Sequence, residues 1–143
     1  MTERTFVDSN ILIYAHDKYA GPKQRIAALR LNELWKHGSG VISPQVMQEF
    51  YVNSTRKLSV PLSKQEAQDI LVDFSPWCVA TTMSEVYSAC QIEDEARINF
   101  WDALIVASAC TAGATRILSE DMNHGQEISG VRIENPFAEL AKD

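Results

Sequence analysis

Cysteine is scarce in this chain and badly spaced for chemistry. Cys78, Cys90 and Cys110 are odd in number, share no C-x-x-C pair and sit among apolar neighbours. That pattern argues against a zinc site and for buried, reduced thiols in a reducing compartment. Long hydrophobic runs are missing as well. The longest, Ala103 to Cys110 with Ser108 inside it, falls far short of the roughly 20 residues needed to span a bilayer. Met1-Thr2-Glu3-Arg4 has no apolar segment of the kind that directs export. A cytoplasmic protein with no membrane contact is expected. No internal repeat, low-complexity tract or linker interrupts the sequence, and 143 residues with 45% hydrophobic content suit a single globular domain over 1–143.

Positive charge is sparse after residue 64. Residues 65–143 hold four Lys/Arg against fourteen acids, whereas residues 1–64 hold nine against five, and the whole chain carries a formal net charge of −6. General nucleic-acid binding is therefore disfavoured. A local phosphate-binding face in the first half is still permitted, alongside the plainer reading of ordinary solvated helices.

What the chain does have is a regular alternation of short apolar runs and amphipathic stretches. Thr5-Phe6-Val7 reads as a buried strand and Ile11 to Ala15 as a helix, with Asp8, Ser9 and Asn10 between them. Pro22 and Gly38 bracket a helix running to His37, with Ala27, Leu31, Leu34 and Trp35 as its apolar stripe. Gly40 to Ile42 is a strand, and Ser43 caps a helix with Pro44 at its first position and Val46, Met47 and Phe50 inward. Ser63 to Glu66 and Thr82 to Glu85 are capping boxes. The first opens a helix through Phe74. The second opens one through about Ala96 that turns Val86, Ala89, Cys90 and Tyr87 inward. Trp77 to Ala80, Ala114 to Leu118 and Val131 to Ile133 read as further strands. Asn99 caps a helix that is apolar all round after its first turn, and is therefore buried. Such alternation implies an α/β fold of three layers, a central, mainly parallel sheet flanked by helices on both faces.

In that geometry four acids fall at the carboxyl ends of strands, where ligands of open sheets gather, or in early helical turns pointing the same way. They are Asp8, Glu49, Asp102 and Asp121. Two of them have a plain alternative. Asp8 or Ser9 could merely cap the next helix, and Asp102 could simply complement a helix dipole. If the four converge, their repulsion calls for a cation, and an oxygen-only site suits Mg2+ or Mn2+. His16 and His37 read as surface residues. His124, three residues past Asp121, is a further catalytic candidate.

Four segments carry a resemblance. Phe6-Val7-Asp8-Ser9-Asn10-Ile11-Leu12, Ser43 to Phe50, Phe100-Trp101-Asp102-Ala103-Leu104-Ile105 and Leu118-Ser119-Glu120-Asp121-Met122 stand in the order and at the separations of the motifs of PIN-domain ribonucleases. The chain resembles most closely the small VapC-type toxins of toxin–antitoxin pairs. The resemblance implies that Asp8, Glu49, Asp102 and Asp121 hold one or two divalent ions, with Asn10 and Ser119 bracing the carboxylates. It implies metal-assisted hydrolysis of RNA phosphodiesters, a small antitoxin partner and pairing into a homodimer. Glu120 leaves open which of two neighbouring carboxylates reaches the metal. If RNA lies over these acids, Lys18, Lys23, Arg25, Arg56 and Lys57 are the candidate phosphate contacts. Two rivals remain. One is a receiver-type Mg2+-binding signalling domain, opposed by Ser9-Asn10 after Asp8 and by the absence of lysine between Lys64 and Lys142. The other is a non-catalytic interaction module on the same fold.

Overall fold

Helix boundaries in this molecule follow the capping residues closely. The structure, a computed structural model, describes residues 3–140. Strand β1 (Arg4–Val7) leads into α1 (Ser9–Ala15), and α2 spans Pro22–His37. Pro22 opens α2, and Gly38 closes it in the left-handed conformation with its N–H on the Leu34 and Trp35 carbonyls. Strand β2 (Gly40–Val41) precedes α3 (Pro44–Arg56), and α4 covers Lys64–Phe74. Helices α5 (Met83–Ala96) and α6 (Phe100–Thr111) then lead to β3 (Ala114–Leu118), β4 (Glu127–Ile128) and β5 (Val131–Glu134).

The five strands form one sheet in the order β2-β1-β3-β5-β4, parallel except for β4. Phe6, Val7, Ile117, Leu118 and Ile133 are buried, as expected of strands covered on both faces. Helices α1 to α4 pack on one another, while α5 pairs with α6, which lies against β3 and β5. The result is the three-layer arrangement expected from the sequence. Because β2, β1, β3 and β5 run the same way, their carboxyl ends share one edge, and that edge receives Ser43, Asp8, Ser119 and Asn135. A receiver domain requires a parallel sheet in the order 2-1-3-4-5; here β5 precedes β4, and β4 is antiparallel. The receiver reading is excluded.

Several expectations are corrected. Trp77 to Ala80 is not a strand: Ser75–Trp77 is a 3-10 turn, followed by a single bridge from Cys78 to Ile42. Pairing cannot continue because Pro44, two residues past Ile42, lacks an N–H and already belongs to α3. Strand β4 was not expected at all. It is two residues long and folds onto β5 through Ser129 and Gly130, both at positive φ (53° and 83°), the conformation that the tightest hairpins require. Along α5 the buried positions are Glu85, Ala89 and Ile92, so Tyr87 and Cys90 face solvent instead. Cys110 is exposed and Cys78 only partly covered; all three thiols are free, but none is deeply buried. Trp35 is 49% exposed, its ring packed edgewise on Phe74 and against Trp77. His16 is half-buried rather than fully at the surface, its ring packed edgewise on Phe50 and Phe74.

Glycine is required at position 40. A Cβ there would lie 2.6 Å from the Trp77 ring, so the indole can cover the β2 backbone only where no side chain stands.

Candidate active site

Asp8 follows β1 directly and performs two tasks at once. Its Oδ1 accepts the Ser9 N–H at 2.8 Å, which caps α1, while Oδ2 accepts the Ser119 hydroxyl at 2.7 Å. The capping reading thus accounts for half of the carboxylate. Ser119 follows β3 and is fully buried; its Oγ also accepts the Asp121 N–H at 3.2 Å. Asn10 closes the unit. Its Oδ1 accepts the Glu120 N–H at 3.1 Å, and its Nδ2 lies 3.3 Å from Asp8 Oδ2 and 3.1 Å from Asp121 Oδ2. Asp8, Asn10, Ser119 and Asp121 therefore form one hydrogen-bonded cluster joining the ends of β1 and β3.

Glu49 and Asp102 come from helices. Asn99 caps α6 by accepting the Asp102 N–H at 2.9 Å, and its own Nδ2 donates to Asp102 Oδ2 at 2.9 Å, so this carboxylate is locked to its helix terminus. Glu49 is half-buried on α3, and its Oε1 is buried without a hydrogen-bond partner.

The electrostatics tie all four acids together. Burial pushes the Asp8 carboxyl up from 3.8 to about 6, against the opposing hydrogen bonds from Ser119 and Ser9, and the charges of Asp121 and Asp102 push it further. Burial, then the neighbouring Asp8 charge, raise Glu49, with Gln45 opposing and Asp102 and Asp121 adding to the rise. Asp102 is raised by burial and by Asp121, with Asn99 opposing. Each acid lies in the field of others, yet among the described residues no three His, Cys, Asp or Glu side chains are close enough to share one ion. The donor chemistry fits a hard divalent cation: only carboxylate oxygens are offered, one of them buried and unpartnered. The spacing is looser than a preformed chelate.

Of the two neighbouring acids after β3, Asp121 acts on Asp8, Glu49 and Asp102, whereas Glu120 is engaged elsewhere. Its Oε1 accepts the Tyr14 hydroxyl at 2.9 Å. Its Oε2 forms an ion pair with Lys23 Nζ at 2.8 Å. Lys23 also sits 5.0 Å from the centre of the Tyr14 ring. Among the basic candidates, Lys18, Arg25, Arg56 and Lys57 are exposed, and Lys23 is already paired. His124 lies in a turn before β4, and its Nδ1 accepts the Asn135 N–H at 2.9 Å. Sequence reasoning passed over Tyr14 and Gln45. Only the four-residue spacing of Gln45 and Glu49, which sets both on one face of α3, could have signalled the latter.

The sequence profile of the PIN domain matches residues 5–126. No curated protein matches the chain in sequence. In structure the chain is similar to a toxin–antitoxin complex from Klebsiella pneumoniae, at 18% identity over 92% of this chain and 97% of that one, TM-score 0.65. It is also similar to DNA-bound VapBC from Salmonella typhimurium, at 18% identity over 94% and 99%, TM-score 0.66. A third similar structure is VapC20, a sarcin-ricin-loop-cleaving toxin of Mycobacterium tuberculosis, at 18% identity over 82% and 89%, TM-score 0.55. At such identities the likeness is one of fold.

Proposed function

The chain belongs to the PIN-domain family, and on that footing we propose that it is a divalent-metal-dependent endoribonuclease, the toxin of a toxin–antitoxin pair. The observation that most supports this reading is the hydrogen-bonded unit of Asp8, Asn10, Ser119 and Asp121, with Glu49 and Asp102 inside its electrostatic field. Asp8, Glu49, Asp102 and Asp121 would hold Mg2+ or Mn2+. When bound, a divalent ion supplies Lewis acidity that lowers the pKa of water and offsets charge on the phosphoryl oxygens. Everything else is placement by the chain itself. Ser119 and Asn10 keep the Asp8 and Asp121 carboxylates in fixed orientations, and Asn99 does the same for Asp102. Burial leaves Asp8 poorly hydrated, so it has much to gain from a cation and little water to displace. No acid attacks phosphorus. Exposed Lys18, Arg25, Arg56 and Lys57 are available to the flanking phosphates of RNA.

A small antitoxin protein is the proposed partner, supported by the likeness of fold to subunits of toxin–antitoxin complexes. The proposed assembly is a homodimer acting in the cytoplasm. Among the described residues no helix is long and apolar enough to cross a membrane.

The wide spacing of the acids favours one second reading, a non-catalytic interaction module on the same fold. A single experiment separates the two. Purified protein is incubated with mixed cellular RNAs in Mg2+ or Mn2+ and in chelator, and the cleaved ends are mapped. Discrete ends that appear only with metal, and vanish in Asp8→Asn, are expected. Intact RNA together with no calorimetric affinity for either ion would sink the nuclease reading in favour of the module.

A further inference from the structure

Gln45 stands between the two acid-bearing helices. It is the second residue of α3, four positions before Glu49, so both side chains share one helical face. Its Nε2 donates to the Trp101 carbonyl at 3.3 Å, which ties the start of α3 to the first turn of α6, one residue from Asp102. In this orientation the amide nitrogen, not the oxygen, faces the Trp101 carbonyl. With Nε2 fixed, Gln45 Oε1 is buried and has no donor, and Glu49 Oε1 is in the same condition. The amide also lies near enough to favour the ionised form of Glu49.

Two buried, unpartnered acceptors one helical turn apart are costly in a protein that gains nothing from them. Their occurrence on the face that carries Glu49 marks that face as built for something positive or proton-donating. Resting on the nuclease reading above, we propose that Gln45 is a positioning residue that holds Glu49 in register with Asp102 by bridging α3 to α6. The bridge spans 56 residues of chain and joins the only two of the four acids that the Asp8–Asn10–Ser119–Asp121 cluster does not reach. Without it, each of these two carboxylates follows its own helix.

The test is a double-mutant cycle. Gln45→Met keeps the side chain's volume and removes the bridge; Gln45→Ala is made in parallel, in case the longer variant does not fold. Each is combined with Glu49→Gln, and Asp8→Asn serves as the control for the site as a whole. Affinity for Mn2+ alone is measured by calorimetry on the intact protein, and kcat and KM are measured on RNA. We expect Gln45→Met to weaken Mn2+ binding roughly tenfold, as removal of an orienting partner does, and to lower kcat with the KM for RNA unchanged. In the Glu49→Gln background the same change should cost nothing further, because its effect runs through Glu49. Additive losses, or a Gln45→Met protein with wild-type Mn2+ affinity and kcat, overturn the proposal while the nuclease reading stands. If Asp8→Asn and Glu49→Gln themselves leave Mn2+ affinity and cleavage intact, both fall together.

Discussion

Asn10 and Asp121, 111 residues apart in the chain, meet at 3.1 Å, and the same Asn10 nitrogen lies 3.3 Å from Asp8. A neutral donor between two carboxylates damps their repulsion. Replacing it with an acid reverses the sign of that contact. Asn10→Asp should therefore destabilise the metal-free protein at pH 7 by about 1–3 kcal/mol, and saturating Mg2+ should recover most of the loss. Thermal melting with and without the ion checks this, and equal melting temperatures for variant and wild type without metal would show that the amide is incidental.

The Asp8 carboxyl gives a pH signature of unusual sign. Its folded value, about 6, lies above the ordinary 3.8, so the native state binds the proton more tightly than the unfolded chain does. In metal-free protein, the contribution of this group to stability falls as pH rises from about 4 to about 6, by about 3 kcal/mol at most, and is flat above. Glu134 works in the opposite sense. Its carboxyl is lowered by Arg30 and Arg116, so its contribution is lost as pH falls. The difference between wild type and Asp8→Asn, measured by urea unfolding across pH 4–7, isolates the Asp8 term. Asp8→Asn should be the more stable protein near pH 7, and parallel pH curves would show that the carboxylate is adequately solvated.

Gly40 is a packing prediction independent of function. Gly40→Ala sets a methyl group 2.6 Å from the Trp77 ring, and should destabilise the fold by about 1–3 kcal/mol. Combining it with Trp77→Leu should recover part of that cost, since the ring causes the clash. Fully additive losses in chemical denaturation would contradict this.

Charge placement predicts an inequality among the basic residues. In a catalytically dead Asp102→Asn background, replacing exposed Arg56 and Lys57 with Gln should flatten the log-log salt dependence of RNA binding by roughly 0.7 for each lost phosphate contact. Lys18 and Arg25, replaced together, should behave alike. Lys23→Gln should change the slope less, because Glu120 already takes up its charge. Equal slopes throughout would reduce these residues to a solvated surface.

Much of this architecture is legible in the sequence because the decisive signals are local. Pro22 and Gly38 bracket α2, Ser63 and Glu66 cap each other at the start of α4, and Asp8 and Ser119 each stand one residue past a buried strand. What escapes is set by partners remote in the chain. Glu120 and Asp121 are adjacent and chemically alike, and only Tyr14 and Lys23, about 100 residues earlier, draw one of them aside. The same holds for Gln45, whose partner is a backbone oxygen on another helix. Strand β4 is too short for any periodicity to register, and along α5 small apolar residues on adjacent faces left the inward side undecided until α6 packed against it.

The sheet ends on both sides in strands of two residues, Gly40–Val41 and Glu127–Ile128. An unpaired strand edge is a template on which a neighbouring chain can add its own backbone, and the length of that edge governs the hazard. Here each margin exposes almost no ladder, and just beyond β2 the Ile42 N–H and carbonyl are already taken by Trp77 and Val79. The consequence is colloidal: in a chain accumulating to high concentration, the described residues offer its copies almost no unpaired ladder for growth into fibres.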